Sequence, residues 1–192
     1  MSNNTQAVQN TKVVTGKVRL SYANIWEPSA IGNQEPKYSV ALLIPKSDKD
    51  TMTKIKAAID AAKQEGVASK WGGKMPPKCE TTVHDGDGEK PNGGEYGEEA
   101  KGHYVLNTTS KQKPGIVDKN VNPILDKTEV YSGCYARVSV NFYAYDSNGK
   151  KGIGCGLQNI QKLADGEPFG GRSRAEDDFE AIEDYSSEDF LS

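Results

Sequence analysis

"CYARVSVNFYAYDSNGKKGIGCGLQNIQKL", residues 134–163, decides the fold. In its first half Cys134, Ala136, Val138, Val140, Phe142 and Ala144 fall at alternate positions, interleaved with Tyr135, Arg137, Ser139, Asn141, Tyr143 and Tyr145. Successive side chains of a strand point to opposite faces, so 134–146 reads as a strand with one apolar face and one polar-aromatic face. "DSNGK", 146–150, reads as a hairpin turn, with Gly149 suited to positive φ. The return strand sets Ile153, Cys155 and Leu157 on one face and Gly152, Gly154 and Gly156 on the other.

Working outward, "KVVTGKVRLSY", 12–22, alternates in the same way. Val14, Gly16, Val18, Leu20 and Tyr22 would share one face, with Val13, Thr15, Lys17, Arg19 and Ser21 on a basic outer face. This strand is expected to break at Pro28. "KYSVALLIP", 37–45, reads as a second strand closed by Pro45. The one convincing helix is 48–65: Ser47 or Asp48 caps it, Met52, Ile55, Ile59 and Ala62 recur at helical spacing, and Gly66 ends it. Short strands are expected at 79–83 and 103–109, flanking a Gly-rich acidic loop, and 111–133 reads as ordered loop with brief extended pieces. Several strands with one helix between them make the fold class mainly β, a small and strongly twisted barrel.

Composition narrows the function. A chain of 192 residues suits one domain with appendages. No run of 18 apolar residues exists, and the start "MSNNTQAVQN" is uncharged, so neither a membrane span nor a secretory signal is expected. Cys79, Cys134 and Cys155 are odd in number and far apart, and read as free thiols of a reducing compartment, the cytoplasm. The net charge of −3 conceals a division. The last 17 residues hold eight acids and no base; residues 84–99 hold six acids and one lysine; the remainder carries 23 bases against 13 acids. A basic body beside acidic segments is a pattern that tunes nucleic-acid affinity.

The outer face of 134–146 is the principal candidate site. Every nucleobase has a π-face, so Tyr135, Tyr143 and Tyr145 can stack on a strand of any sequence, with Arg137 on phosphate or base and Asn141 beside it. The glycines of 152–156 would leave a shallow floor for bases. Lys17, Arg19, Lys150 and Lys151 would follow the phosphates. Trp26, Tyr22 and Trp71, the last flanked by Lys70 and Lys74, are lesser stacking candidates; Lys111 and Lys113 read as an ordinary wet loop. The competing reading makes the tyrosines a subunit contact of a virion or assembly protein.

Enzyme-like patterns are weak. "HDGDGE", 84–89, lacks the alternating ligands and distal Glu of a calcium loop, and a nuclease-type metal site from Asp85, Asp87 and Glu89 is far less favoured than a solvated turn. "GIGCG" opens no helix, so it is no dinucleotide fingerprint. Two histidines, His84 and His103, and three scattered cysteines match no zinc spacing and support no hydrolytic triad. No cofactor is expected.

Taken together, "VVTGKVRLSYANIWEP", "PKYSVALLIPKSDKDT", "VYSGCYARVSVNFYAYDSNGKKGIGCGLQNIQKLADGEPFGGR" and the acidic ending resemble a family of bacteriophage single-stranded DNA-binding proteins, long described as a domain of unknown function (DUF2815). The resemblance spans nearly all of 12–192. It implies an OB-fold, a five-stranded barrel with elaborated loops and the inserted helix, acting without catalysis in phage DNA replication or recombination in the host cytoplasm. It leaves the contacting residues unassigned.

The expected organisation is a disordered 1–11, a binding domain over 12–165, a Gly/Arg linker over 166–175 and a disordered acidic tail, "EDDFEAIEDYSSEDFLS", over 176–192. Tethered carboxylates reach high local concentration, so the tail would occupy the basic groove until DNA displaces it. Asp189, Phe190 and Leu191 would then meet a basic, apolar pocket on a phage or host replication protein. No membrane partner is expected, and a homo-oligomer is compatible with the sequence.

Overall fold

In the computed structural model, which describes residues 10–30, 32–169 and 179–182, eight strands and one α-helix follow one another. They are β1 (Lys12–Val14), β2 (Val18–Ser29), β3 (Lys37–Pro45), α1 (Lys49–Ser69), β4 (Val83–Asp85), β5 (His103–Ser110), β6 (Gly115–Val117), β7 (Tyr135–Ser147) and β8 (Lys150–Ala164). The alternation in the quoted stretch becomes the β7–β8 hairpin, in register from Tyr143↔Gly154 to Ser147↔Lys150. Asn148 (φ 53°) and Gly149 (φ 84°) both take positive φ at its turn, the conformation that matches the twist of a two-residue hairpin.

Five strands close a ring in the order β2-β3-β5-β8-β7, because β7 pairs with both β8 and β2. All neighbours are antiparallel except β5 and β8, which meet in parallel at Thr109↔Gly156. Counted along the chain, the ring order is first, second, third, fifth, fourth: the Greek-key barrel of the OB-fold. Where β5 and β8 diverge, β4 pairs with β5, and Glu80 bridges to Gly152 with the Ile153 amide donating to the Glu80 carbonyl at 2.8 Å.

Leu20, Leu42, Ile44, Leu106, Phe142 and Ile160 are among the fully buried residues of the interior, each stabilising the fold by about 1.5–3 kcal/mol relative to exposure. The helix lies mainly against β7 and β1 and adds Met52, Ile55, Ala58 and Ile59 to the same core. A second, outer cluster of Ala41, Leu43, Val105 and Ala100 lies on the far side of β3 and β5.

Three expectations are corrected. The stretch 12–22 is two strands, since the chain breaks at Gly16, whose amide donates to the Thr51 hydroxyl at 2.9 Å. Val13 and Thr15 are therefore buried before the break and Val18 and Leu20 after it, while Val14 is 42 % exposed. A second irregularity at Tyr22 (φ 47°) turns that ring outward, 73 % exposed, and returns Ile25 to the core. Each extra residue reverses which face the following side chains take. Pro28 does not break β2, which runs on to Ser29 and pairs there with Lys37. Gly66 does not end the helix; Asp48 caps its start by accepting from the Thr51 amide, but the last turn continues to Ser69. Gly66 is instead a contact point, where a Cβ would stand 2.7 Å from that of Ala144 and 2.8 Å from the Trp71 ring.

Candidate nucleic-acid interface

β7 carries its polar-aromatic face outward as expected, but the face is not one patch. Tyr135 and Tyr145 sit ten residues apart, about 33 Å along an extended strand. At one end, Tyr143 and Tyr145 lie across β8. A Cβ on Gly154 would stand 2.5 Å from the Tyr143 ring, and one on Gly152 2.7 Å from the Tyr145 hydroxyl. Gly152 and Gly154 thus seat tyrosine rings and leave no bare floor for bases, a correction to the sequence reading, while a Cβ on Gly156 would meet nothing closer than 3.5 Å. Tyr143 keeps 43 % of its surface exposed. Burial of the rest, with smaller contributions from Cys155 and Tyr145, raises its hydroxyl pKa. Lys150 is exposed at the turn, and Lys151 faces Asp146 at 3.9 Å.

At the other end Arg19 is committed to the fold. Its guanidinium lies between Tyr135 and Phe169, 5.5 and 4.1 Å from the ring centres, and donates to the carbonyls of Gly133 (2.9 Å) and Glu167 (2.7 Å). It pins the segment after β8 to the barrel and is not held out toward a phosphate. Lys17 lies 5.2 Å from the same Tyr135 ring. Arg137 is exposed and donates to the Thr15 carbonyl at 3.2 Å, and Asn141 accepts from the Thr11 hydroxyl at 2.8 Å.

The tryptophans are mainly structural. Trp71 is 5 % exposed, and its indole donates to the Tyr145 carbonyl at 3.0 Å, so its lysine neighbours in sequence misrepresent its position. Trp26 is half-buried, donates to the Val130 carbonyl at 2.9 Å and has the Lys113 ammonium 5.5 Å from its ring. The carboxylates of Asp85 and Asp87 are both held by Lys46 at 2.7 Å, which lowers their pKa values and raises that of the lysine. Among the described residues no cluster of His, Cys, Asp or Glu could hold a metal ion, and no helix is long and apolar enough to cross a membrane. Asp189, Phe190 and Leu191 lie outside the described residues, as do the first nine residues and most of the linker and tail.

The strand registers bring Asn141 and Gly156 together with residues that the sequence reading missed. Asn141 pairs with Gly156, Gly156 with Thr109, Thr109 with Ser39 and Ser39 with Asn24, one outward row across all five strands of the ring. Beside it runs a second row, Asn107, Ala41 and Ser21. Every floor residue is small or a short polar one, so the rows form a shallow path perpendicular to the strands. Tyr22 stands beside one end and Tyr143 beside the other. A bulky residue at positive φ costs of order 1–3 kcal/mol, and such strain collects at ligand clamps. Lys12, Lys113, Gln112 and Asn159 line a polar cavity of about 390 Å³ on the opposite flank. OB-folds carry oligonucleotides on the face of their second and third strands and on the loops joining strands one to two and four to five. Here those are β3, β5, the 30–36 loop and the 147–150 turn. The sequence placed 37–45 and 103–109 in strands; only the register shows that Ser39, Ala41, Asn107 and Thr109 adjoin.

The family described as "Enterobacter phage Enc34, ssDNA-binding protein" matches residues 11–191. The chain belongs to this Enc34 family. Its members are binding proteins and not enzymes. A relative from Acyrthosiphon pisum secondary endosymbiont phage 1, "Putative protein p50", is 31 % identical over 192 residues, covering 94 % of this chain and 98 % of the relative. The single-stranded DNA-binding protein from bacteriophage Enc34, solved in complex with ssDNA, superposes with a TM-score of 0.72 at 25 % identity, over 83 % of this chain and 90 % of that one. The fold is shared more widely: gp2.5, a single-stranded DNA-binding protein of bacteriophage T7, gives a TM-score of 0.58 at 14 % identity over 92 % and 98 % of the two chains. The Enc34 family and the barrel topology agree on the OB-fold.

Proposed function

We propose that this protein binds single-stranded DNA without sequence specificity during phage DNA replication or recombination in the host cytoplasm. The strand crosses the barrel along the row from Asn141 to Asn24, and that row is the observation that carries the reading. Tyr22 and Tyr143 stack on bases, since stacking tolerates any sequence. Arg137, Lys12, Lys17, Lys113, Lys150 and Lys151 neutralise phosphates on either side. The Enc34 relative in complex with ssDNA supports the ligand class. The activity is equilibrium coating: it blocks reannealing and nucleases and presents the strand to replication enzymes.

The acidic tail competes with DNA for the basic path and, once displaced, recruits a replication partner through Asp189, Phe190 and Leu191. Within the tail Phe179 and Ile182 are 73 % and 71 % exposed, which suits apolar groups held for a partner.

Fluorescence anisotropy of a labelled dT oligomer, titrated at several salt concentrations, tests the reading. Four to six phosphate contacts predict a log–log slope of roughly −3 to −4, at about −0.7 per phosphate. Absence of binding at low salt, or binding indifferent to salt, would refute it.

A further inference from the structure

Between the Asn107–Ala41–Ser21 row and the acidic loop lies a cavity of about 240 Å³. Its floor is Ser21, Ala41, Leu43, Val105 and Asn107, and its walls include Tyr22, Lys90, Tyr96 and Glu99. Drug-sized ligands occupy about 300–1,000 Å³, so this space suits a single planar ring. The wall is a built element: Glu89 bridges to Glu95, the Lys90 amide donates to the Gly94 carbonyl at 2.8 Å, and Gly93 and Gly94 turn the chain at φ 87° each. The Lys90 ammonium lies 5.7 Å from the Tyr96 ring centre. A Cβ on Gly97 would collide with the Glu99 carboxylate, so glycine there makes room for the acid.

Ser21 is only 4 % exposed, and neither its hydroxyl nor the Asn107 amide has a hydrogen-bond partner among the described residues. Both groups line the cavity with free hydrogen-bonding capacity, which a ligand of matching chemistry can engage. The available chemistry is asymmetric. Glu99 only accepts, Lys90 only donates, and Ser21 and Asn107 do both.

We infer that this cavity is a nucleobase pocket that favours a base with an exocyclic amino group on its pairing edge over thymine. The inference rests on the reading of the protein as a DNA-binding one and adds selectivity at one position of an otherwise indifferent path. Tyr22 supplies the stacking face, Glu99 accepts from the amino group, and Asn107 and Lys90 serve the ring nitrogen and carbonyl. Cytosine satisfies this set: its N4 amino group donates, and its N3 and O2 accept. Thymine offers one N–H between two carbonyls and places an acceptor, O4, where the carboxylate requires a donor. Acidic side chains also accept from cytosine N4 in duplex readout, there from its major-groove hydrogen.

The experiment compares labelled dC12 and dT12 by anisotropy at one salt concentration, with wild type, Glu99→Ala and Asn107→Ala. The preference of wild type for dC12 over dT12 should exceed that of each variant by roughly five- to tenfold, the lower range for one good base-edge contact. Using the ratio removes the general gain from deleting a negative charge and the different stiffness of the free strands. Asn107 is exposed, so its variant keeps the test valid if Glu99→Ala fails to fold. A dC12:dT12 ratio equal in wild type and in the folded variants overturns the pocket while leaving DNA binding intact. Failure of wild type to bind either oligomer overturns the parent reading instead.

Discussion

Of the lesser stacking candidates, Tyr22 is exposed and Trp71 belongs to the core, and each allows a direct measurement. Tyr22 is turned outward by a positive φ, so Tyr22→Gly removes a stacking face and relieves a strained backbone position together. We expect binding of a dT oligomer to weaken by about 1–3 kcal/mol, with thermal stability unchanged or raised. Tyr143→Ala should weaken binding by a similar amount. It should also leave Gly154 uncovered, so some loss of stability accompanies it. Trp71→Ala should act through the fold: loss of a buried indole costs about 3–5 kcal/mol, read as a lower urea midpoint, while the protein that remains folded binds normally. No periodicity could have assigned these two residues. A tryptophan between lysines reads as exposed, and the parity of β2 depends on an irregularity that leaves no composition signal.

At the scale of elements, close approach decides more than propensity. Gly66→Ala would improve the helix by about 1 kcal/mol on propensity alone. Its Cβ would meet Ala144 and Trp71 at under 3 Å, and overpacking costs about 1–3 kcal/mol, so a net loss is expected in chemical denaturation. The Lys46 clasp makes a pH-dependent link between β3 and the β4 end. Asp85 and Asp87 have pKa values below those of free carboxylates. Their stabilising effect is therefore complete above the ordinary carboxylate range and lost as pH falls through the lowered values. Wild type and Lys46→Ala should differ in melting temperature at pH 7 and converge in strong acid; a constant gap would show that the clasp is not the cause. The faces of β7 and β8 were legible because alternation is a property of a single strand. The path from Asn141 to Asn24 was not, because register belongs to pairs of strands, and a one-residue slip at Gly16 or Tyr22 reassigns every neighbour.

For the whole molecule, charge division was legible from composition, and its proposed use can be tested by cutting the chain after Ala175. The truncated protein should bind DNA more tightly at low salt and converge with the full chain at high salt, since tethered carboxylates compete only while screening is weak. Equal affinity at low salt would remove the competition. The thiols offer an independent check on the core. Cys134 and Cys155 are buried, and burial raises both pKa values. A thiol reagent at pH 8 should modify Cys79 first, with the other two reacting only on unfolding.

The ring closes through β8, the final strand of the barrel, which pairs with both β5 and β7. Synthesis runs from the N-terminus, so β2, β3 and β5 leave the ribosome without the neighbour that completes the cross-strand row. Closing contacts between residues so far apart in sequence form slowly compared with local ones. The proposed DNA path is consequently complete only after residue 156 has been made, between the acidic segments at 84–99 and 176–192. A chain ending before residue 156 should therefore show no binding in the anisotropy titration that the full chain passes.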